Sequence, residues 1–205
     1  MKRMIAVLFL LGSCMIFSGC KDEAVKPVET LKISPVEAIK SKAEAGDVRS
    51  QYDLGVCYAS GWGVEKDHFQ AFYWWSKAAA KGDLFAICDL GNCYEKGNGT
   101  VPFAPMAMYY YLLAARQGFA DAQYNLGKAY TEGEIVAKDE MLALYWFTLA
   151  ALQGHSQAQI QVGSIYEEGK VVERNTKLAR IFLEPHRKHN SDAAAAWRRL
   201  RIVEE

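Results

Sequence analysis

From residue 46 to about residue 190 the chain alternates between two apolar patterns. The first runs for about 13 residues around a Gly-x-x-Tyr centre, as in "LGVCYASG" at 54–61. The second follows a turn and places apolar residues at helical spacing, as in "DHFQAFYWWSKAAAKG" at 67–82. Each such unit predicts two helices, and the unit recurs. "LGVCYASGWGV" at 54–64 returns as "LGNCYEKGNGT" at 90–100, "LGKAYTEGEIV" at 126–136 and "VGSIYEEGKVV" at 162–172, so Gly55, Gly91, Gly127 and Gly163 are each 36 residues apart. The same register holds for Tyr58, Tyr94, Tyr130 and Tyr166, for Ala71, Ala107, Ala143 and Ala179, and for a bulky set, Trp74, Tyr110, Trp146 and Phe182. Self-similarity at this period is the mark of a stacked array in which no unit buries its apolar face alone.

The punctuation agrees with paired helices. Asp67, Asp139 and Asn175 stand before the second helix, where a short acceptor caps free N–H groups. The second copy has Phe103 there, inside "PFAP", and Pro102 and Pro105 are expected to distort that turn or shift the helix start. Gly61, Gly97, Gly133 and Gly169 fall where a left-handed residue would end the first helix, and Gly82, Gly118 and Gly154 where the second would stop. Gly55 and its equivalents are different. They lie inside the first helix, where Gly costs roughly 1 kcal/mol relative to Ala. A closely approaching neighbour helix is the expected compensation, with Tyr58 filling the adjoining gap. Upstream, "SPVE" offers Ser34 as N-cap, Pro35 at the first helical position and Glu37 at the third, so folding is expected to begin at Ser34.

The first residues read as a leader. Lys2 and Arg3 precede an apolar run from Met4 to Phe17, and these 14 residues are too few to span a bilayer, which needs roughly 20. Ser18 and Gly19 then lead to Cys20 and an abruptly polar "KDEAVKPVET". Residues 1–19 are therefore expected to be a signal peptide, and 20–33 a short tether before a folded domain at 34–205. Loss of Lys2 and Arg3 leaves 22 basic against 24 acidic residues. That balance argues against nucleic acid, which needs a basic stripe. The one basic cluster, "RRLR" at 198–201, reads as the solvated face of a terminal helix.

At this point the residues carry a resemblance. "A-x-x-x-L-G-x-x-Y-x-x-G" followed by "K-A-x-x-W-x-x-x-A-A-x-x-G" resembles the Sel-one-like repeat (SLR), a relative of the tetratricopeptide repeat. The resemblance covers units at about 46–81, 82–117, 118–153 and 154–190, with a lone helix before them and a capping helix at 191–203. It implies an all-α fold, an α-solenoid of helix pairs wound as a right-handed superhelix with a concave face. The fourth copy departs most: Val162 replaces Leu, His186 and Arg187 replace the double Ala, and Asn190 replaces Gly.

"SGC" ending at Cys20 resembles the lipobox of bacterial lipoproteins, although Phe17 stands where that motif usually has Leu. The resemblance implies a thioether-linked diacylglycerol on Cys20 and usually a third acyl chain. Cys14, or an unlipidated secreted chain, are the alternatives. Lys21 stands where a lipoprotein retained in the inner membrane often carries Asp, which implies the outer membrane, with the folded part facing the periplasm.

Tetratricopeptide proteins line their concave groove with particular positions of the first helix. Transferred through the matching Gly, these are Arg49, Tyr52 and Val56 in the first copy and Phe85, Cys88 and Asn92 in the second. The third gives Asp121, Tyr124 and Lys128, and the fourth Gln157, Ile160 and Ser164. They differ between copies while the packing positions do not, and aromatics with Arg suit a protein or peptide partner. The aromatic bands "FYWW", "YYY" and "YWF" are in phase with the repeat and read as core, with Tyr73, Tyr109 and Tyr145 as rim candidates. Cys57, Cys88 and Cys93 read as buried thiols. Packed helices hold axes about 8–10 Å apart, too far for a Cys57–Cys93 bridge, and the partner sites of a cysteine-stapled SLR subgroup correspond here to Ala79 and Ile87.

No H-E-x-x-H, G-x-S-x-G or S-x-x-K occurs in the mature chain, and His186 with His189 in "HRKH" reads as a solvated basic face rather than a metal pair. The expected function is a non-enzymatic, lipid-anchored interaction module that uses no cofactor and binds an envelope protein in its groove. By the same resemblance the alternatives are an immunity protein against a phospholipase-type toxin exchanged between bacteria, and an envelope enzyme acting on cell-wall fragments or β-lactams.

Overall fold

The computed structural model of the chain describes residues 34–202, with side chains to residue 200. The leader, Cys20 and the tether lie outside the described residues. Within them the secondary structure is helical throughout: α1 (Pro35–Glu44), α2 (Val48–Ser60), α3 (His68–Ala79), α4 (Leu84–Lys96), α5 (Ala104–Ala115), α6 (Ala120–Glu132), α7 (Glu140–Leu152), α8 (Ser156–Glu168), α9 (Thr176–Leu183), a 3₁₀ turn at Glu184–His186, and α10 (Ser191–Ile202). Each helix packs on its neighbours in sequence, and α10 closes over α8 and α9. This is the α-solenoid, with α2, α4, α6 and α8 as first helices and α3, α5, α7 and α9 as second helices.

Folding begins where the capping box places it. Ser34 Oγ accepts from the Glu37 amide at 3.2 Å, and the Glu37 carboxylate accepts from the Ser34 amide at 2.9 Å. Asp67, Asp139 and Asn175 accept from amides of the first turns of α3, α7 and α9. The prolines of the second copy do not disturb the frame. Phe103 holds φ −150° and ψ 95°, close to the −146° and 105° of Asp67. α5 starts in register, because Pro105 sits in the first turn, where its missing N–H has no intrahelical partner to lose.

The helical glycines mark the tightest contacts within each unit. A Cβ on Gly55 would stand 2.5 Å from Trp75, one on Gly91 2.6 Å from Tyr111, one on Gly127 2.5 Å from Phe147, and one on Gly163 2.6 Å from Leu183. The group seated on the glycine is therefore the residue after the bulky set Trp74, Tyr110, Trp146 and Phe182, and it is not Tyr58 or its equivalents. Tyr94, the Tyr58 equivalent, packs between second helices instead, edge-on to Phe72 and stacked on Tyr110 at 5.6 Å. The aromatic bands divide accordingly: Trp74, Trp75, Tyr111 and Phe147 are buried, whereas Tyr73, Tyr109 and Tyr145 are about half exposed.

Successive units are joined by a device the sequence reading did not include. Gln51, Gln123 and Gln159 donate from Nε2 to the carbonyls of Ala43, Ala115 and Ala151, each at 3.1 Å and each eight residues back, tying a first helix to the end of the helix before it. The equivalent position in the second unit is Ile87, buried in the apolar core. At the carboxyl end Arg198 and Arg199 of "RRLR" are exposed, and Arg199 also reaches back to α8. Its guanidinium donates to the buried Glu167 carboxylate at 2.7 Å and pins α10 to α8.

Candidate functional site

The face made by the first helices carries an open cavity of about 380 Å³. α2 contributes Tyr52, and α4 contributes Phe85, Cys88, Asp89 and Asn92. Asp121, Tyr124 and Asn125 come from α6, and Phe119 and His155 from the turns that lead into α6 and α8. Six of the sequence-derived groove residues thus share one cavity: Tyr52, Phe85, Cys88, Asn92, Asp121 and Tyr124.

Its walls are aromatic. The Phe85 ring lies 5.6 Å from that of Tyr52 and 4.8 Å, edge to face, from that of Phe119, while Tyr124 stacks on the His155 imidazole at 4.6 Å. Phe85 is 45% exposed, so this cluster is open to a ligand. Phe119 is notable for its backbone position. The N-cap residues of α2, α4 and α8 are Asp47, Asp83 and His155, and each accepts from an amide of its own first turn. Phe119 occupies the same position before α6 and makes no such bond. A capping side chain contributes about 1 kcal/mol, and here that contribution is replaced by a ring facing the cavity.

The polar groups form a chain behind the rings. Tyr111, whose ring is buried against Gly91, donates its hydroxyl to Asn92 Oδ1 at 2.8 Å and also contacts the Glu95 carboxylate. Asn92 Nδ2 in turn reaches Asp89 Oδ1 at 3.4 Å, and Tyr52 lines the cavity beside Asp89. Burial pushes the Asp89 carboxyl above the usual carboxylate range, against the influence of Asn92 and Tyr52, which act to lower it. Asp121 is more open and lies 3.4 Å from His155 Nε2.

Cys88 forms part of the cavity floor but is only 4% exposed, with Asn125 Nδ2 3.4 Å from its sulfur. Burial pushes Cys88 and Cys93 up to about 12 and raises Cys57 as well. All three are buried free thiols. A thiol held this far from ionisation has little nucleophilic character.

The remaining groove candidates fall elsewhere. Arg49 lies on the rim, 5.4 Å from the Tyr52 ring centroid and 3.0 Å from Asp53. Val56 and Gln157 are exposed outside the cavity, and Lys128 pairs with Glu132 at 3.5 Å. Ser164 lines a separate, smaller cavity of about 270 Å³ with Thr131 and Glu168. Ile160 is a correction. It is 5% exposed and packed among Ala193, Ala196 and Leu200, because α10 covers the face that would otherwise continue the groove. Asp89, Phe119, Asn125 and His155 were missed. Asp89 and Asn125 each follow a transferred position by one residue, and Phe119 breaks the capping pattern of its own register. His186 Nε2 lies 2.6 Å from Gln159 Oε1, and among the described residues no three His, Cys, Asp or Glu side chains come together as a metal site.

A family profile described as "Sel1 repeat" matches residues 48–83, 84–119, 120–155 and 156–185. The chain belongs to the Sel1 repeat family. Among solved structures it is similar to a Sel1 repeat protein from Oxalobacter formigenes, with 29% identity, a TM-score of 0.72, and coverage of 77% of this chain and 65% of that one. It is also similar to a protective antigen present in uropathogenic Escherichia coli strains, which displays an SLR fold, with 34% identity, a TM-score of 0.66, and coverage of 77% of this chain and 32% of that one. The chain therefore spans less than two thirds of the length of either structure. No curated protein matches it. Membership gives the chain a Sel1 repeat scaffold, a fold that suggests a protein–protein interaction module.

Proposed function

We propose that this Sel1 repeat protein is a non-enzymatic adaptor, anchored to the outer membrane through a lipid on Cys20 and facing the periplasm, that holds a segment of an envelope protein against the first-helix groove. The observation that carries the binding reading is the Tyr52–Phe85–Phe119 ring cluster, exposed at Phe85, which successive units build together and which no single unit possesses. Aromatic clusters of this kind are preferred anchors in protein interfaces. The anchoring reading rests on the sequence of residues 1–20, and among the described residues no helix is long and apolar enough to cross a membrane. A diacylglycerol contributes about 0.8 kcal/mol for each buried CH₂, which suffices to hold a protein at a surface without a spanning helix.

The test is affinity capture from cross-linked envelope fractions, comparing the natural chain with a Phe85→Ala, Asp121→Ala double variant matched to it by thermal melt. A partner enriched by the natural chain and reduced at least about tenfold by the variant is expected, and equal capture by both would sink the groove reading. If the captured partner is a secreted phospholipase, the adaptor is specifically an immunity protein. A parallel Cys20→Ser variant, which cannot carry the thioether lipid, is expected to move from the membrane to the soluble fraction. Retention on the membrane would remove the anchoring part.

A further inference from the structure

We propose that the groove is built to receive a positively charged side chain of the partner, an arginine guanidinium, between its aromatic wall and the carboxylate of Asp89. This deepens the groove reading above and rests on it. The first observation is charge. The cavity is lined by two carboxylates, Asp89 and Asp121, and by no lysine or arginine. Asp121 has a histidine at 3.4 Å, whereas among the described residues Asp89 has no cation within ion-pair distance. Its polar neighbours are neutral, Asn92, whose Nδ2 lies 3.4 Å from Oδ1, and Tyr52, and neither compensates its charge. A buried charge is ordinarily paired. Asp89 is partly buried, and the more deeply buried Glu167 carboxylate has Arg199.

The second observation is the wall. Tyr52, Phe85 and Phe119 form a continuous ring cluster beside that carboxylate. A guanidinium is planar, weakly hydrated and able to stack on an aromatic face while its N–H fork reaches a carboxylate. An ammonium is compact and strongly hydrated, and would use only half of this surroundings. The chain contains its own instance at the rim, where the Arg49 guanidinium lies 5.4 Å from the Tyr52 ring centroid. That charge is already matched by Asp53 at 3.0 Å, so it neither fills the cavity nor repels a second cation strongly. The volume of about 380 Å³ admits a side chain with a few backbone atoms. The occupant is a segment of the partner that presents one arginine.

The probe is a set of short capped peptides, Ser-Gly-X-Gly-Ser, with X as arginine, lysine, citrulline or glutamate, titrated into the isotope-labelled domain and followed by amide chemical shifts. The arginine peptide is expected to bind with a Kd of the order of 1 mM, shifting amides at 85–92 and 119–125. Citrulline, which keeps the shape and loses the charge, is expected to bind at least about tenfold more weakly, as is glutamate. Asp89→Asn, at an unchanged or raised melting temperature, is expected to weaken the arginine peptide by about tenfold; Asp121→Asn, at a more exposed position, serves if that variant does not fold. Equal binding of arginine and citrulline, an arginine affinity unmoved by either substitution, or no shifts at all would each overturn the proposal. If that happens while partner capture still depends on Phe85 and Asp121, the groove stands and only its ligand chemistry is wrong. Loss of groove dependence in the capture experiment would instead remove the reading on which the proposal rests.

Discussion

Asp89 is a side chain whose burial opposes the fold. Desolvation is the largest influence on its carboxyl and raises the pKa above the ordinary 3.8, so the folded state binds this proton more tightly than the unfolded chain does. The contribution to stability is thus most favourable below 3.8 and is lost as pH rises through the raised value, leaving a net cost at neutral pH. Asp89→Asn keeps the acceptor for Asn92 and removes the charge. Its melting temperature at pH 7 is expected to exceed that of the natural chain by about 1–3 °C, with the difference shrinking as the pH is lowered toward the ordinary value. A melt that falls at neutral pH would show that the charge itself is compensated in the fold. At this scale the sequence was legible where a residue's role follows from its backbone position. Ser34, Gly61 and Gly55 could be placed because caps and helical glycines have few alternatives. The partner of Gly55 could not, since Trp74 and Trp75 are adjacent aromatics separated by about 100° around the helix, and only the packing of α3 on α2 decides which one meets the glycine.

Elements carry the next layer of information. The second helices begin after Asp67, Phe103, Asp139 and Asn175, and only Phe103 fails to cap. It is 52% exposed and has the backbone geometry of the other three. Phe103→Asp is therefore expected to stabilise the protein by about 1 kcal/mol, raising the melting temperature by roughly 2–4 °C in calorimetry. No gain would mean that the ring holds the preceding turn by packing. Phe119 breaks the same kind of rule on the other face, but its ring packs against Phe85, so the loss of a cap there is matched by a contribution to the groove. The groove residues that sequence reasoning found, such as Tyr52 and Phe85, follow from the period alone. Ile160 shares that period and was misplaced, because α10 replaces the next unit and covers it. Likewise Gln51, Gln123 and Gln159 are in register in the sequence, yet a glutamine in an amphipathic helix reads as surface until its acceptor eight residues back is seen.

For the described domain, contacts run mostly between helices adjacent or next but one in sequence, so stability is close to a sum of unit and boundary contributions and the ends open first. The carboxyl end has the slenderest unit, with α9 at 8 residues against 12 to 13 for α3, α5 and α7. What fastens it is Glu167, which accepts from Arg199 while its own carbonyl accepts from the Arg174 side chain at 2.9 Å. Arg199→Ala leaves that carboxylate buried and unpaired. Amide exchange in α8, α9 and α10 is expected to quicken by about tenfold while α2 to α5 stay protected. Uniform acceleration along the chain would show that the domain opens as one unit rather than from this end.

The separation of Gly55 from Trp75 is 20 residues, and the same interval joins Gly91 to Tyr111, Gly127 to Phe147 and Gly163 to Leu183. Each close contact is thus closed inside its own unit. In genetic terms, duplication or excision of one complete 36-residue segment carries its glycine and the group seated on it together, so the reading frame of the architecture survives the change. Groove length and groove chemistry can then be revised by recombination between copies, one unit at a time, without a new fold having to be found.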